Sequence, residues 1–196
     1  MRSNPATAIV CLPLLDAGEC DAWLAHLQGC DWQDARVASP AYGSSVERVI
    51  RSTATTECRD PERMARIVDW IAELNRGLFR FDLDGPSPSD PLLAMRYREG
   101  DHFDWHIDNS IEAVATRKLS FTLQLTPPDE YDGGDLEFAM YAASYGGTAP
   151  FAGYTRDVRR RGAITVFPAF HLHRVSPVTR GTRLALVGWL HGPRFR

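Results

Sequence analysis

Lysine is nearly absent from this 196-residue chain: of 22 cationic side chains only Lys118 is a lysine and the rest are arginine. So uniform a bias reflects genomic composition rather than function. Long apolar runs are missing as well. The longest, 184–190, is seven residues including a glycine, whereas crossing a bilayer takes about 20, so no membrane-spanning helix is expected. The first apolar stretch is short, broken by Pro13 and preceded by a single arginine, which does not make a signal peptide, and cytoplasmic residence is the expectation. Cysteine is confined to positions 11, 20, 30 and 58, with no Cys-x-x-Cys pair and no histidine at zinc-finger spacing. That pattern argues for reduced, partly buried thiols over a disulfide framework or zinc cage. A strong charge of either sign is lacking too. With 22 basic and 25 acidic residues the net charge is −3, which disfavours nucleic acid as a partner, and the short cluster Arg156, Arg159, Arg160, Arg161 reads as a solvated loop leading into a strand.

What remains describes one folded domain spanning 1–196. Apolar side chains make up 44% of the chain, and a chain of this size buries roughly 70% of its unfolded surface, enough for a core without staples. Asp16-x-x-Glu19 has the form of a capping box, followed by Cys20, Trp23, Leu24 and Leu27 at helical spacing up to Gly29. A second helix begins at Asp60-Pro61 and places Met64, Ile67, Val68, Ile71, Leu74 and Leu78 on one face. Between them, 46–51 is a candidate strand. After a turn-rich segment at 82–91 the period changes to two, and 92–98, 102–108, 118–126, 135–141, 162–168, 172–176 and 182–190 read as strands. No long helix separates them, so parallel winding is excluded. The expectation is a mainly β fold with flanking helices: a double-stranded β-helix, or jelly roll, over 92–191 with mostly helical support from 1–80.

His106-Ile107-Asp108 lies at a predicted strand end, where residues i and i+2 project to one face. One imidazole and one carboxylate are thus delivered to one point, and the region His171-Leu172-His173 can bring a second imidazole from another strand. Two histidines and a carboxylate are the facial triad of non-haem Fe(II) sites, which leaves coordination positions open. A second feature lies on the last strand. Arg183 shares a face with Ala185, Val187 and Trp189, while Leu184, Leu186 and Leu190 line the other, so both faces are apolar and the arginine is expected to point inward. A buried guanidinium needs an anion: an internal Asp or Glu, or a ligand carboxylate gripped by the two-pronged fork. The hairpin between His173 and Arg183 places the arginine deeper than the metal. There it would meet the far carboxylate of a five-carbon diacid whose 2-oxo acid end chelates iron.

The segments Tyr97-Arg98-Glu99-Gly100-Asp101-His102-Phe103-Asp104-Trp105-His106-Ile107-Asp108-Asn109, Tyr131-Asp132-Gly133-Gly134-Asp135-Leu136 and Phe167-Pro168, with His173-Arg174-Val175-Ser176-Pro177-Val178 and Gly181-Thr182-Arg183, resemble Fe(II)/2-oxoglutarate dioxygenases of the prolyl 4-hydroxylase superfamily, and look closest to bacterial PKHD-type hydroxylases. The resemblance covers about 92–191. It implies His106, Asp108 and His173 as iron ligands, with His173 preferred over His171 by the Val-x-Pro and Arg183 spacing. It also implies Arg183 as the partner of the 2-oxoglutarate C5 carboxylate and Tyr97 as a hydrogen-bonding residue for the same cosubstrate. Fe(II), 2-oxoglutarate and O₂ follow, with ascorbate as an accessory reductant. His102 reads as rim or core, and His26 and His191 have no constellation around them.

The implied activity is hydroxylation of an aliphatic C–H bond in a prolyl or other amino-acid residue of a peptide or protein. The alternative is a free amino acid or small natural-product intermediate. From other classes, a zinc hydrolase uses a similar donor set but leaves Arg183 unexplained, and a non-catalytic metal-binding module on the same barrel is the remaining rival. Members of the nucleic-acid demethylating branch resemble one another in a second arginine six residues beyond the cosubstrate arginine, where this chain has Trp189. The final predicted strand lies close to Arg196, without the C-terminal extension of many PKHD-type proteins. Loops 36–45 and 139–161, the latter longer than usual, are the expected substrate lid.

Overall fold

The computed structural model of the chain describes residues 9–39, 43–109, 114–141, 148–150 and 158–195. In chain order the elements are β1 (Val10–Pro13), α1 (Ala17–Gln28), β2 (Gln33–Asp34), β3 (Val37–Ser39), β4 (Gly43–Ser45), β5 (Arg51–Ser52), β6 (Ala54–Glu57) and α2 (Pro61–Leu74), which runs into a π-helical turn, Asn75–Phe79. Then follow β7 (Leu93–Arg98), β8 (His102–His106), β9 (Arg117–Gln124), β10 (Tyr131–Gly133), β11 (Leu136–Tyr141), β12 (Thr148–Pro150), β13 (Ala163–Pro168), β14 (His173–Val175) and β15 (Val178–His191).

Both helices begin where the sequence says they should. Asp16 caps α1 by accepting the Glu19 amide at 2.9 Å, while the Glu19 carboxylate accepts the Asp16 amide at 2.8 Å. Asp60 accepts the Arg63 amide at 3.0 Å, with Pro61 in the first turn of α2, where its missing N–H costs nothing.

Among the described residues every strand pairing is antiparallel, in two principal sheets. The major sheet runs β1-β13-β9-β15-β7-β6-β2, with β10 beside β15, and the minor sheet runs β12-β11-β14-β8-β5. This is the expected jelly-roll layout, with one amendment. The N-terminal third is more than a helical support, because β1, β2 and β6 extend the major sheet and β5 forms an edge of the minor one. The candidate strand at 46–51 is corrected accordingly: 48–50 form a turn, and extended pairing begins only at Arg51, opposite Phe103. These strands are two to four residues long, too short to show a period of two, and the neighbouring strands hold them in place.

The major sheet is apolar on its outer face. Leu119, Phe121 and Leu123 of β9, Ile164 and Val166 of β13, and Leu186 and Leu190 of β15 pack under Cys20, Trp23 and Leu27 of α1 and Ile67 and Ile71 of α2. A second cluster, including Met95, Tyr97, Phe138, Phe167 and Val175, lies between the sheets. None of the four cysteines forms a disulfide; burial pushes the Cys58 thiol up to about 12, leaving it unreactive. Among the described residues no helix is long and apolar enough to cross a membrane. Arg159 and Arg161 depart from the solvated-loop expectation. The Arg159 guanidinium donates to the carbonyls of Gly133 and Tyr131 and to Asp135, and Arg161 pairs with Asp21, so both fasten the barrel to its surroundings. Arg156 and most of loop 139–161 lie outside the described residues, as do residues 40–42 of the other expected lid.

Candidate metal and anion site

His106 ends β8 and His173 opens β14, and the two are directly paired across the minor sheet. Asp108 follows two residues after His106, its amide donating to the Ala169 carbonyl at 2.8 Å. The ligand-capable atoms of the three residues all lie within 4.8 Å of one another. Asp108 carboxylate oxygens sit 3.7 Å from Nε2 of His106 and 3.7 Å from Nε2 of His173. Metal–ligand bonds of about 2.0–2.2 Å bring ligand atoms to roughly 3–3.5 Å of each other, so closure around an ion asks for little movement.

The orientation of each imidazole is fixed from behind. Nδ1 of His106 lies 2.7 Å from the Asp104 carbonyl and Nδ1 of His173 lies 2.8 Å from the His171 carbonyl. A carbonyl only accepts, so Nδ1 carries a proton in both rings and Nε2 is the nitrogen turned to the centre. His171 thereby supports His173 through its backbone carbonyl, and it is the His173 ring that faces Asp108. The Phe103 ring stacks on His106 with centroids 3.5 Å apart, and Phe167 meets His173 edge-on at 4.7 Å. Burial, followed by the neighbouring His173, pushes His106 down to about 3, so its imidazole is neutral and ligand-ready at neutral pH. For Asp108 burial pulls upward, but the two imidazoles, Arg117 and a hydrogen bond from Ser120 outweigh it and hold the carboxyl below its usual range. That Ser120 hydroxyl donates to Asp108 at 2.5 Å. The donor set, its protonation and its support from behind fit a divalent metal.

The triad opens into a cavity of ≈ 320 Å³ that is also lined by Tyr97, Arg183, Val187, Trp189 and Arg51. Arg183 points inward as its strand pattern requires, and is only 3% exposed. Among the described residues it has no acidic partner; its guanidinium lies 5.4 Å over the Tyr97 ring, the residue opposite it on β7. Gly134 makes room for it. With φ at +62°, a Cβ there would stand 2.9 Å from Val178 Cγ2 and 3.2 Å from Arg183 Cδ, so the Gly-Gly turn is a steric condition for the arginine's course. Tyr97 is buried beside Arg51, Arg183 and Thr53, and burial raises its pKa, which keeps the phenol protonated as a donor. Trp189 carries Arg117 at 3.5 Å over its ring, and Arg117 in turn grips Asp90 through two bonds and donates to the Asp108 carbonyl. His102 sits at the rim, near the carbonyls of Val49 and Gly100.

Ser120, Phe103, Arg117 and Arg51 escaped the sequence reading. Ser120 left a signal: in Lys118-Leu119-Ser120-Phe121-Thr122-Leu123-Gln124 the polar residues alternate on a strand whose two faces are both buried.

The family model for the 2OG-Fe(II) oxygenase superfamily matches residues 92–191. A PKHD-type hydroxylase from Paraburkholderia phymatum is 34% identical over 93% of this chain and 78% of its own length, and one from Hyphomonas neptunium is 38% identical over 85% and 70%. Among solved structures, a Pseudomonas putida prolyl-4-hydroxylase superposes with a TM-score of 0.60 at 19% identity, covering 94% of this chain and 92% of its own. A Trichoplax adhaerens prolyl hydroxylase, solved with a hypoxia inducible factor oxygen degradation domain peptide fragment, gives 0.61 at 13% identity, over 93% of this chain and 83% of its own. At such identities the structural likeness concerns the fold.

Proposed function

The chain belongs to the 2OG-Fe(II) oxygenase superfamily, and from that premise we propose that it hydroxylates an aliphatic C–H bond of a prolyl or other amino-acid unit at the cavity of His106, Asp108 and His173. In this reading His106 Nε2, His173 Nε2 and the Asp108 carboxylate hold Fe(II), and Arg183 takes the C5 carboxylate of 2-oxoglutarate. The observation that carries it is the pairing of that triad with a buried arginine that has no acidic partner among the described residues, in one cavity. The zinc hydrolase reading leaves that arginine unexplained. When bound, the iron supplies the redox chemistry by which O₂ and 2-oxoglutarate become a hydroxyl group, succinate and CO₂.

The chain's own residues bind and orient. Arg183 offers a planar fork to a carboxylate, a geometry lysine lacks. Tyr97, protonated and beside that guanidinium, is placed to donate a hydrogen bond to the same ligand. Phe103, Phe138 and Phe167 pack against the imidazoles, while Ser120 donates to the Asp108 carboxylate and Arg117 to its backbone carbonyl. In this reading residues 1–196 act as one catalytic domain.

A succinate assay under air with Fe(II), ascorbate and 2-oxoglutarate tests the reading against proline-containing peptides and free amino acids. Succinate release stimulated by at least one of them supports it. Failure of the iron-loaded protein to consume 2-oxoglutarate with any of them contradicts it.

A further inference from the structure

Arg51 is a second guanidinium on the wall of the metal cavity, and the proposed reaction gives it no task. It lies on the edge strand β5 of the minor sheet, whereas Arg183 lies on β15 of the major one, and both line the cavity near Tyr97. Among the described residues its direct contacts are uncharged groups, with the Asp108 carboxylate and the Arg117 guanidinium within electrostatic reach. One terminal nitrogen donates to the Arg36 carbonyl at 3.1 Å, the other contacts Met95 Sδ at 3.3 Å, and Nε is buried without a partner. The guanidinium stands 4.5 Å over the Phe103 ring, whose other neighbour is the His106 imidazole. Arg51 is therefore one aromatic ring from the metal site.

Among the described residues, three carboxylates of this region are already engaged. Asp34 pairs with Arg48, Asp101 accepts from the Ser52 hydroxyl and the Arg98 amide, and Asp90 holds Arg117. Charge balance sharpens the point. A divalent iron with Asp108 and Arg183 is neutralised by dianionic 2-oxoglutarate, and Arg117 is neutralised by Asp90. Arg51 is then left as a positive charge on the cavity wall whose Nε is buried without a partner, a costly arrangement unless a ligand completes it.

We infer that Arg51 anchors the substrate's own carboxylate, so that the target is an amino-acid unit bearing a free α-carboxylate rather than an internal residue of a protein. The inference rests on the oxygenase reading and narrows its substrate class. A free amino acid and the C-terminal residue of a peptide offer the same group. Planar, two-pronged recognition then sets which carbon faces the metal, making Arg51 a specificity determinant, whereas Arg183 serves the cosubstrate.

The test compares, for each amino acid, the free acid, the glycyl dipeptide acid and the corresponding C-terminal amides as stimulators of succinate release. It uses the wild type and the variants Arg51→Met and Arg51→Lys, with 2-oxoglutarate binding to the Fe(II)-loaded protein measured in parallel. The expected result is at least one acid that outperforms its amide tenfold or more. That preference should collapse in Arg51→Met through KM for the acid and partly return in Arg51→Lys, with a much smaller change in KM for 2-oxoglutarate. Stimulation by free acids but not dipeptides identifies a free amino acid, and the reverse identifies a peptide C-terminus. Amides equal to acids, no acid active at all, or Arg51→Met impairing 2-oxoglutarate as severely as Arg183→Met would each overturn the inference. In each of those cases 2-oxoglutarate binding by the wild type leaves the oxygenase reading standing, whereas its absence removes that reading itself.

Discussion

On their helix-facing side, β9 and β15 carry Leu119, Phe121, Leu123, Leu184, Leu186 and Leu190; on their cavity side the same two strands carry Ser120, Thr122, Gln124, Arg183 and Trp189. Both sides are buried, but they are buried against different things. The outer side meets α1 and α2 and is matched apolar to apolar, so its contribution is packing. The inner side meets a space prepared for a metal and an anion, and its polar groups are satisfied only in part by the protein. Alternation in a strand ordinarily separates core from solvent. Here it separates core from ligand.

If that division is right, substitutions on the two sides should fail in different ways. Arg183→Met should have the largest effect: KM for 2-oxoglutarate rises about 30-fold or more, since truncating one partner of a buried charge pair costs roughly 2–5 kcal/mol. The ligand-free variant should melt no lower than wild type, because an arginine without a counter-ion has been removed. A lowered Tm with unchanged KM would make Arg183 a structural residue. Leu186→Ala should do the opposite, lowering stability by about 2–5 kcal/mol in denaturant titrations while leaving KM nearly unchanged. A cosubstrate defect there would blur the distinction between the faces.

Ser120→Ala should act on the metal alone. Loss of the hydroxyl on Asp108 is expected to weaken Fe(II) binding about 10- to 100-fold, measured by equilibrium dialysis against a chelator, with little change in Tm. A further contrast concerns pH. In the metal-free protein His106 sits at about 3, whereas an unfolded histidine lies near 6.5. Between those values the unfolded state holds the extra proton, so stability is complete above pH 6.5 and declines as pH falls toward 3, by at most about 1.4 kcal/mol per pH unit. His106→Asn should flatten that slope in a Tm series recorded with chelator present. An unaltered slope would place its origin elsewhere.

The same comparison explains what could be read from the sequence. His106 and Asp108 are legible because i and i+2 on a strand share a face whatever the rest of the fold does. Arg183 is legible because residues on both sides of its strand are apolar, leaving it nowhere to go but inward. The helix caps are legible because Asp16, Glu19 and Asp60 act within three residues of themselves. By contrast β6, Ala-Thr-Thr-Glu, has no apolar alternation and is a strand only because β7 lies beside it. Arg51 is one of many arginines, and its environment comes from Arg36, Met95 and Phe103, distant in sequence and brought together by the pairing of β5 with β8. Local geometry was readable, and long-range neighbours were not.

The central claim is that His106, Asp108 and His173 hold an iron that 2-oxoglutarate joins through Arg183. Anaerobic addition of Fe(II) and then 2-oxoglutarate measures this most directly. The account predicts a visible charge-transfer band in the wild type that is absent from Asp108→Ala and that needs far more 2-oxoglutarate in Arg183→Met. No band in a wild type that binds zinc tightly, or a band of undiminished strength in Asp108→Ala, would contradict it.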